Sequence, residues 1–401
     1  MPKFLRLLTF PGLVLALALP MGVTAAEESA RPQPAARAQP AEPGDQSLYR
    51  AIDVAREMMN SKDIYDRILA AGALSDIGDT QALTLLERCL DVDDIVIRRS
   101  AIDTLITATH PNSVNLLFKS AAGNPEVLGL MAESLASVPR DDMGDLLVEA
   151  LGPDSTDFVK RHALQALVRS AGSAEDEAVR ALVADAHTSA VIRAYGQYTL
   201  MVGGDATARS AMLSAAEEPS ADVREIAAVA LGLVDSKEAK DKLAALAKES
   251  DQRVALAAVA SKAALGDDDA IAQIIQTIGY GKPMEATVMA GALKRLPAQM
   301  AAQITETLIH CCPLKNDAAT RMLESWGWIA SDPSKVYDWG LVHKEADIRM
   351  QTIWLIGQRK DEAALERLAP FLKDEDAGIR GMAAWSIVHI AGHRYVGGVQ
   401  I

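Results

Sequence analysis

The sequence predicts an all-α fold, an α-solenoid of about eleven two-helix repeats preceded by an N-terminal signal peptide and a flexible linker. Segments that begin at Arg67, Arg224 and Ile348 align with one another, and the same frame recurs every 30 to 33 residues. Apolar residues make up 49% of the chain and aromatic residues only 4%, a composition typical of closely stacked helices with small side chains.

Residues 1–26 form the predicted signal peptide. Lys3 and Arg6 give a basic start, residues 7–18 form a mostly apolar run, and the small residues that follow predict cleavage after Ala25 or Ala26. A retained membrane anchor is the alternative, but the apolar run is shorter than the ~20 residues that a spanning helix needs. We therefore expect a periplasmic or secreted protein without a membrane span in the mature chain.

Residues 27–45 form the predicted linker. This segment carries four prolines and no large apolar side chain, so it cannot bury a core. We expect a disordered Pro/Ala-rich tether between the signal peptide and the repeats.

Residues 46–401 form the predicted repeat domain. Each repeat is numbered from an anchor at position 0, and positions +3, +6, +7 and +10 are mostly small or apolar, which places them on one face of a helix. A second amphipathic run follows each first helix, except in the last repeat, where the chain ends. The anchors are Arg67, Arg98, Leu128, Lys160, Arg193, Arg224, Ala255, Ala286, Ala319, Arg349 and Arg380.

The segment ADVREIAAVALG at 221–232 shows the pattern most clearly and resembles the HEAT repeat. More narrowly, the repeats resemble the short HEAT-like repeats of phycobilin lyase subunits. The resemblance implies that a turn aspartate and the anchor arginine, such as Asp222 with Arg224 or Asp347 with Arg349, tie neighbouring repeats together. It implies little about function, because unrelated functions share this fold.

Two enzyme families with similar repeats provide a test for catalysis. Deoxyhypusine hydroxylase holds iron with repeated His-Glu pairs, and none of the seven histidines here precedes a glutamate. Phycobilin lyases act inside the cell, whereas this chain has a predicted export signal. We find no catalytic residue set and expect no enzyme activity and no cofactor.

Four residues are weak candidates for metal ligands. His389 and His393 are spaced i, i+4, which places both imidazoles on one helical face. Cys311 and Cys312 are adjacent and follow a histidine, so they suit a soft metal or a vicinal disulfide. The simpler interpretation is that these are ordinary residues at helix ends, and the sequence predicts no definite metal site.

Aromatic residues in the repeat frame are the candidates for partner binding. Position +5 lies about 150° from the centre of the apolar face, and Tyr198, Trp354 and Trp385 occupy it. Trp326 joins them if Arg321 is the true anchor of the ninth repeat. An exposed aromatic stripe on the concave face is a usual anchor for a partner. The alternative is that these side chains seal the terminal helices.

These features predict an exported scaffold or assembly factor that binds its partner on the concave face. The partner is expected to be another exported protein or an envelope component. Nucleic acid is disfavoured because the net charge is −14. The alternative is a metal- or cofactor-dependent enzyme, or a lyase-like cofactor-insertion factor, built on the same repeats.

Overall fold

The computed structural model describes residues 43–138, 140–168 and 173–395. Within these ranges the chain consists of α-helices and short 3-10 helices, without strands. The predicted signal peptide and linker residues 27–42 lie outside the described residues. The first helix begins at Pro43, inside the predicted linker, because proline suits the first turn of a helix, where its missing N–H is not needed.

The first helices of the eleven repeats carry even numbers here. Their ranges are α2 (Ile64–Ser75), α4 (Ile95–Thr107), α6 (Pro125–Ser137), α8 (Asp157–Leu167), α10 (Ala190–Val202), α12 (Ala221–Leu231), α14 (Gln252–Ala264), α16 (Pro283–Ala292), α18 (Asn316–Trp326), α20 (Ala346–Gln358) and α22 (Ala377–Ala391).

The remaining helices carry odd numbers. Their ranges are α1 (Pro43–Met58), α3 (Thr80–Leu90), α5 (Pro111–Ala121), α7 (Gly144–Ala150), α9 (Ser173–Ala184), α11 (Ala206–Ala215), α13 (Lys237–Leu246), α15 (Asp268–Tyr280), α17 (Ala298–Cys311), α19 (Ser334–Leu341) and α21 (Leu365–Leu368). Short 3-10 helices flank α7, α16, α21 and α22. The predicted two-helix repeats are confirmed.

Turn aspartates start many of these helices. The Asp79 carboxylate accepts hydrogen bonds from the N–H groups of Gln81 and Ala82, and Asp94 accepts from the N–H of Val96 in the same way. Such caps satisfy donors that have no partner inside the helix. The acidic turns of the sequence therefore fix where helices begin.

Burial distinguishes an inner layer of helices from an outer one. In α12 every residue from Glu225 to Leu231 is buried, whereas α13 buries only Ala239, Leu243 and Leu246. Seven consecutive buried residues cover all sides of a helix, so α12 is buried all round. Buried residues three or four positions apart lie on one stripe, so α13 is buried on one side only. The even-numbered helices are therefore enclosed, and the odd-numbered helices lie outside them with one face in solvent.

The inner helices form a closed ring. Each packs against the next, from α2 through α22, and α22 then packs against both α2 and α1. Contacts across this closure include the His389 imidazole and the Asp76 carboxylate, 2.7 Å apart. Tyr49 and Tyr395 also meet there, with ring centroids 6.1 Å apart. The solenoid thus returns to its own beginning.

Helix α1 completes the eleventh repeat. The sequence predicted a last repeat without its second helix, yet α1 packs along α22 and beside α21 and the 3-10 segment Ala369–Lys373. It thereby takes the outer position that the missing helix would occupy. Leu48, Ala51, Ile52 and Ala55 are buried in this contact layer, on the stripe expected of an outer helix.

The ring surrounds a central space. Packed helix axes lie about 8–10 Å apart, so eleven in a circle give a ring about 30 Å across between axes. Side chains fill much of this interior, because residues at the inner positions, such as Glu225, Val229 and Trp385, are buried. In a closed ring the concave face of the solenoid is this interior surface.

Candidate functional site

The inner face of the ring is formed by positions +1, +5 and +9 of the even-numbered helices, opposite the apolar stripe that contacts the outer layer. One set of long side chains shows this placement directly. Arg295, nine residues after the eighth anchor, lies within electrostatic range of Tyr198 from the fifth repeat and Glu225 from the sixth. Side chains from non-adjacent repeats therefore approach one another across the interior.

Asp103 and its neighbours form one polar cluster on the inner face. The Ser134 hydroxyl donates to the Asp103 carboxylate, and the Arg99 guanidinium pairs with the Glu133 carboxylate. Burial raises the pKa of Asp103 to about 6, against the opposing effects of the Ser134 hydrogen bond and Arg99. With this pKa the Asp103 carboxyl group takes up its proton near pH 6 and is mostly ionised at pH 7.

Glu225 is the centre of a second cluster. Its side chain is only 5% exposed, and Arg253 Nη1 lies 3.5 Å from the carboxylate while also pairing with Asp222 at 2.8 Å. Burial raises the pKa of Glu225 to about 7, and the two arginines Arg253 and Arg295 lower it by less. The two arginines therefore offset only part of the cost of burying the Glu225 carboxylate.

Arg295 contributes a half-buried cation to the same cluster. Its Nε is buried and has no hydrogen-bond partner among the described residues. Burial lowers the pKa of its guanidinium, while Tyr198 and Glu225 act in the opposite direction. Unpaired buried polar atoms are costly to the folded state, so stability alone does not account for this residue.

The two clusters together define the candidate site. Alanine, valine and leucine fill most of the inner layer, and replacing buried charges by apolar residues is often neutral or stabilising. Asp103, Glu225 and Arg295 are therefore polar exceptions in this layer. The arrangement can hold a polar group of a partner by hydrogen bonds from a neutral acid or from the guanidinium.

The predicted aromatic stripe is largely buried. Tyr198, Trp326 and Trp385 are 1%, 1% and 3% exposed, so the expected exposure is wrong for these three, and only Trp354 is half-buried. The reason is that each side chain fills space between helices, as Trp326 does when its indole N–H donates to the Thr305 hydroxyl over 3.0 Å. A role of these residues in partner binding stays a prediction.

Trp354 and Trp385 share one packing geometry. The Trp354 ring lies against Gly327 of the preceding repeat, and the Trp385 ring lies against Gly357. Trp385 also contacts Gly72 of the first repeat, because the ring is closed. The 31-residue spacing of the two tryptophans thus gives equivalent positions, between helices rather than on a surface.

The two histidines do not form a metal pair. His389 is directed to Asp76, and its ring stacks on Trp385 with centroids 4.8 Å apart, whereas His393 is exposed. Cys311 and Cys312 are free thiols with Sγ atoms 3.1 Å apart at the end of α17. Among the described residues, no three His, Cys, Asp or Glu side chains are grouped to hold a metal ion.

The anchor arginines have a structural role, and the expected link between neighbouring repeats is confirmed in part, since Asp222 pairs with Arg253 of the next repeat rather than with Arg224. Each donates to a backbone carbonyl five or six residues earlier and so closes the turn before its own helix. Arg224, for example, donates to the carbonyl of Glu218 and pairs with Glu249 rather than with Asp222. The arginines that do this are Arg67, Arg98, Arg193, Arg224, Arg349 and Arg380.

Asp103 lies at position +5 of its repeat, the position of the predicted aromatic stripe, but the sequence did not single out Glu225 and Arg295. A signal was present, since Glu225 is a charged residue at +1 in a run of small apolar residues. The helical periodicity alone could not show which repeats face one another. The proximity of repeats five, six and eight depends on the curvature of the ring.

Comparison with known proteins identifies HEAT repeats in part of the chain. Residues 208–283 match the sequence pattern of HEAT repeats. None of the curated proteins is similar to this chain in sequence. No helix in the described ranges is both long and apolar enough to cross a membrane.

Several solved structures match the chain at low identity. An engineered protein is 15% identical over 85% of this chain and 98% of its own, with a TM-score of 0.29. The CpcE–CpcF complex of phycocyanin lyase from Nostoc sp. PCC7120 is 13% identical over 66% and 98%, with a TM-score of 0.36. Human deoxyhypusine hydroxylase is 15% identical over 63% and 97%, with a TM-score of 0.28. TM-scores this low indicate no shared overall shape, and no functional conclusion depends on them.

Proposed function

Since the chain is a HEAT-repeat protein, we propose that it is a non-catalytic scaffold or assembly factor that binds a segment of another exported protein on the inner face of its ring. The observation that carries the proposal is the presence of polar groups in an apolar inner layer: the desolvated carboxyl groups of Asp103 and Glu225, and the half-buried Arg295, whose Nε has no hydrogen-bond partner among the described residues. Polar groups of a partner would supply further hydrogen bonds to these three side chains.

The closed ring limits the kind of partner. A folded domain of about 100 residues is roughly 30 Å across, as large as the distance between opposite inner-helix axes, so it cannot enter the ring. The bound element is therefore a segment, with the folded parts of the partner outside the ring.

Export is part of the proposal and rests on residues 1–26. Their basic start, apolar run and small residues are those of a cleaved signal peptide. We expect the mature chain in the periplasmic or secreted fraction. Cell fractionation with N-terminal sequencing of the mature chain tests this, and recovery of an uncleaved chain in the cytoplasm would overturn it.

Quantitative affinity capture from an envelope fraction tests binding. The variants are Asp103→Asn and Glu225→Gln, which keep the size of the side chain and remove a buried charge. The control is Glu238→Gln on the exposed side of α13. We expect one reproducible partner whose recovery falls at least tenfold in the inner-face variants and stays unchanged in the control.

The neutral variants also separate binding from folding. Because burial raises the pKa of both acids, removing their charges does not destabilise the fold near pH 7. Loss of the partner therefore reports on the inner face. Equal recovery by all three variants, or no reproducible partner for the unmodified chain, would contradict the proposed function.

A further inference from the structure

Two thiols lie side by side where the outer helix α17 ends. Cys311 is the last residue of α17, and Cys312 follows it in extended backbone, with φ −120° and ψ 140°. Pro313 accounts for this conformation, because a proline ring disfavours the helical region for the residue before it. The two Sγ atoms are 3.1 Å apart, and both thiols are free. The sequence Cys-Cys-Pro therefore brings two sulfur atoms into contact at a turn of defined backbone.

The outer helix of the preceding repeat, α15, supports this turn. The Tyr280 hydroxyl donates to the Cys311 carbonyl over 3.3 Å. Cys312 packs against Gly279, where an added methyl group would lie 2.9 Å from Cys312 Sγ. Because glycine has no side chain, it allows the sulfur to approach the helix this closely. The thiol pair is thus held against α15 from two sides.

The two thiols differ in their access to solvent. Cys311 is exposed, whereas Cys312 is half-buried. Burial and the contact with Cys311 raise the pKa of the Cys312 thiol, while a hydrogen bond from the Tyr280 hydroxyl lowers it. A disulfide is attacked by a thiolate that can reach it. Cys311 is therefore the thiol that another molecule meets first, and Cys312 is placed to attack Cys311 in a second step.

Exposed apolar side chains lie next to the thiol pair. Tyr280, Met284 and Val288 are 63%, 77% and 40% exposed. Met284 and Val288 are four residues apart in α16, so they lie on one face of that helix. Grouped apolar side chains on a surface are typical of contacts with other proteins, and methionine adapts to partners of different shape. This group favours a protein as the molecule that meets Cys311.

A disulfide between adjacent residues is easily reduced. Neighbouring Cα atoms are about 3.8 Å apart across a trans peptide bond, whereas disulfides usually join Cα atoms roughly 4.4–6.8 Å apart. A disulfide outside this range is strained and more reducible. The pair therefore suits reversible exchange better than a permanent cross-link.

We propose that Cys311 and Cys312 form a site of reversible thiol–disulfide exchange with an exported protein whose disulfide is flanked by apolar residues. This activity goes beyond the proposed function and does not involve the inner face of the ring. Only the location of the partner rests on the proposed function, because it depends on export of the chain.

The exchange has two steps. The Cys311 thiolate attacks one sulfur of the partner disulfide, so that a mixed disulfide forms and the other partner sulfur leaves as a thiolate. The Cys312 thiolate then attacks the Cys311 sulfur, which joins the two cysteines and releases the second partner thiolate. The protons of the two cysteines pass through solvent to the partner thiolates. The partner disulfide gains two electrons and the cysteine pair loses two, and the reverse sequence oxidises a partner dithiol.

Glutathione disulfide, used with the full chain, tests the order of attack. Cys312→Ser should retain a mixed disulfide with glutathione on Cys311, because the second thiol is missing. Cys311→Ser should carry at least tenfold less glutathione, because Cys312 is half-buried. The unmodified chain should end with a bond between Cys311 and Cys312, as measured by mass spectrometry of the peptide that contains both. Buried Cys89 is the internal control and should stay unmodified.

Two results would overturn the exchange site. One is equal labelling of Cys311→Ser and Cys312→Ser by glutathione. The other is a mixed disulfide that persists on the unmodified chain after free glutathione is removed. Neither result bears on the inner face, which Asp103→Asn and Glu225→Gln test separately.

A short peptide disulfide with Leu and Phe beside each cysteine tests the apolar surface. Met284→Ser should slow the reaction of the chain with this peptide at least fivefold and leave the reaction with glutathione disulfide unchanged. Ile95→Ser is the matched control, because Ile95 is 53% exposed in the second repeat, away from the thiol pair. Equal peptide rates for the two variants, or an equal loss of rate with glutathione disulfide in Met284→Ser, would overturn a protein as the reactant.

Discussion

Asp76 contacts both the second and the eleventh repeat, so single substitutions at its pair test the closure of the ring. We expect His389→Ala to lower the free energy of unfolding by about 3 kcal/mol, since removing one partner leaves a buried carboxylate uncompensated. Urea denaturation measures the change. A loss under 1 kcal/mol would contradict the contact of 2.7 Å between the two side chains.

Lys119→Ala is the control for this prediction. It also removes an ion pair, the one between Lys119 and Glu87, but both side chains are exposed. Exposed pairs contribute little to stability. We therefore expect Lys119→Ala to leave the denaturation midpoint close to that of the unmodified chain.

Glu225 predicts a specific pH dependence of stability. Its pKa rises from the usual 4.5 to about 7 on folding, because of burial, so the folded chain binds the proton more tightly than the unfolded chain. Between about pH 4.5 and 7 the folded state then holds more protons, and stability falls as the pH rises. We expect Glu225→Gln to become the more stable protein, relative to the unmodified chain, as the pH increases through this range.

The size of this effect follows from the shift in pKa. Each unit corresponds to about 1.4 kcal/mol, so the full difference is roughly 3 kcal/mol by pH 7. Urea denaturation of both proteins at several pH values measures it. Parallel pH profiles for Glu225→Gln and the unmodified chain would show that the carboxyl group is not desolvated by folding.

At the scale of helices and turns, Arg359 links the tenth repeat to the ninth. Its guanidinium donates to the carbonyls of Trp326, Ile329 and Ser331 over 2.8 to 3.1 Å. A lysine ammonium cannot match three carbonyls with the geometry of a planar guanidinium. We expect Arg359→Lys to cost about 2 kcal/mol, as measured by urea denaturation.

Hydrogen–deuterium exchange locates the effect of Arg359→Lys. Exchange in the segment 327–333 should increase, while exchange in α12 stays unchanged. Arg367→Lys is the control, because Arg367 pairs with a single exposed carboxylate, that of Asp338. If both variants behave alike, the three carbonyl bonds of Arg359 do not hold the turn.

For the whole molecule, Trp385 and Trp326 allow a test of ring closure. Both are buried tryptophans, and replacing either by alanine should cost about 3–5 kcal/mol. Trp385 contacts Gly72 of the first repeat, where α22 packs against α2. Trp326 instead contacts Thr305, in the helix that precedes its own. We therefore expect only Trp385→Ala to open the ring.

Small-angle X-ray scattering measures this opening. The radius of gyration should increase for Trp385→Ala and stay unchanged for Trp326→Ala, with the same helix content by circular dichroism in both. An unchanged radius of gyration in Trp385→Ala, or an equal increase in the two variants, would contradict a ring closure that depends on the contact of α22 with α1 and α2.

The sequence by itself determined the repeat. The anchor residues, the apolar positions at +3, +6, +7 and +10 and the acidic turns predicted the helix pairs, because helical periodicity and capping act over a few residues. These features depend on local interactions that are present in every repeat.

Only the tertiary structure decided that the array closes and that α1 completes the last repeat. Closure of eleven repeats requires a rotation of about 33° at each joint, and a deviation of 3° at every joint would add up to about one whole repeat. The sequence of a single repeat does not determine the rotation that accumulates over all eleven joints. For the same reason the burial of Tyr198 and Trp385, the approach of Arg295 to Glu225 and the pair of His389 with Asp76 were not predictable from the sequence, since each depends on where distant repeats meet.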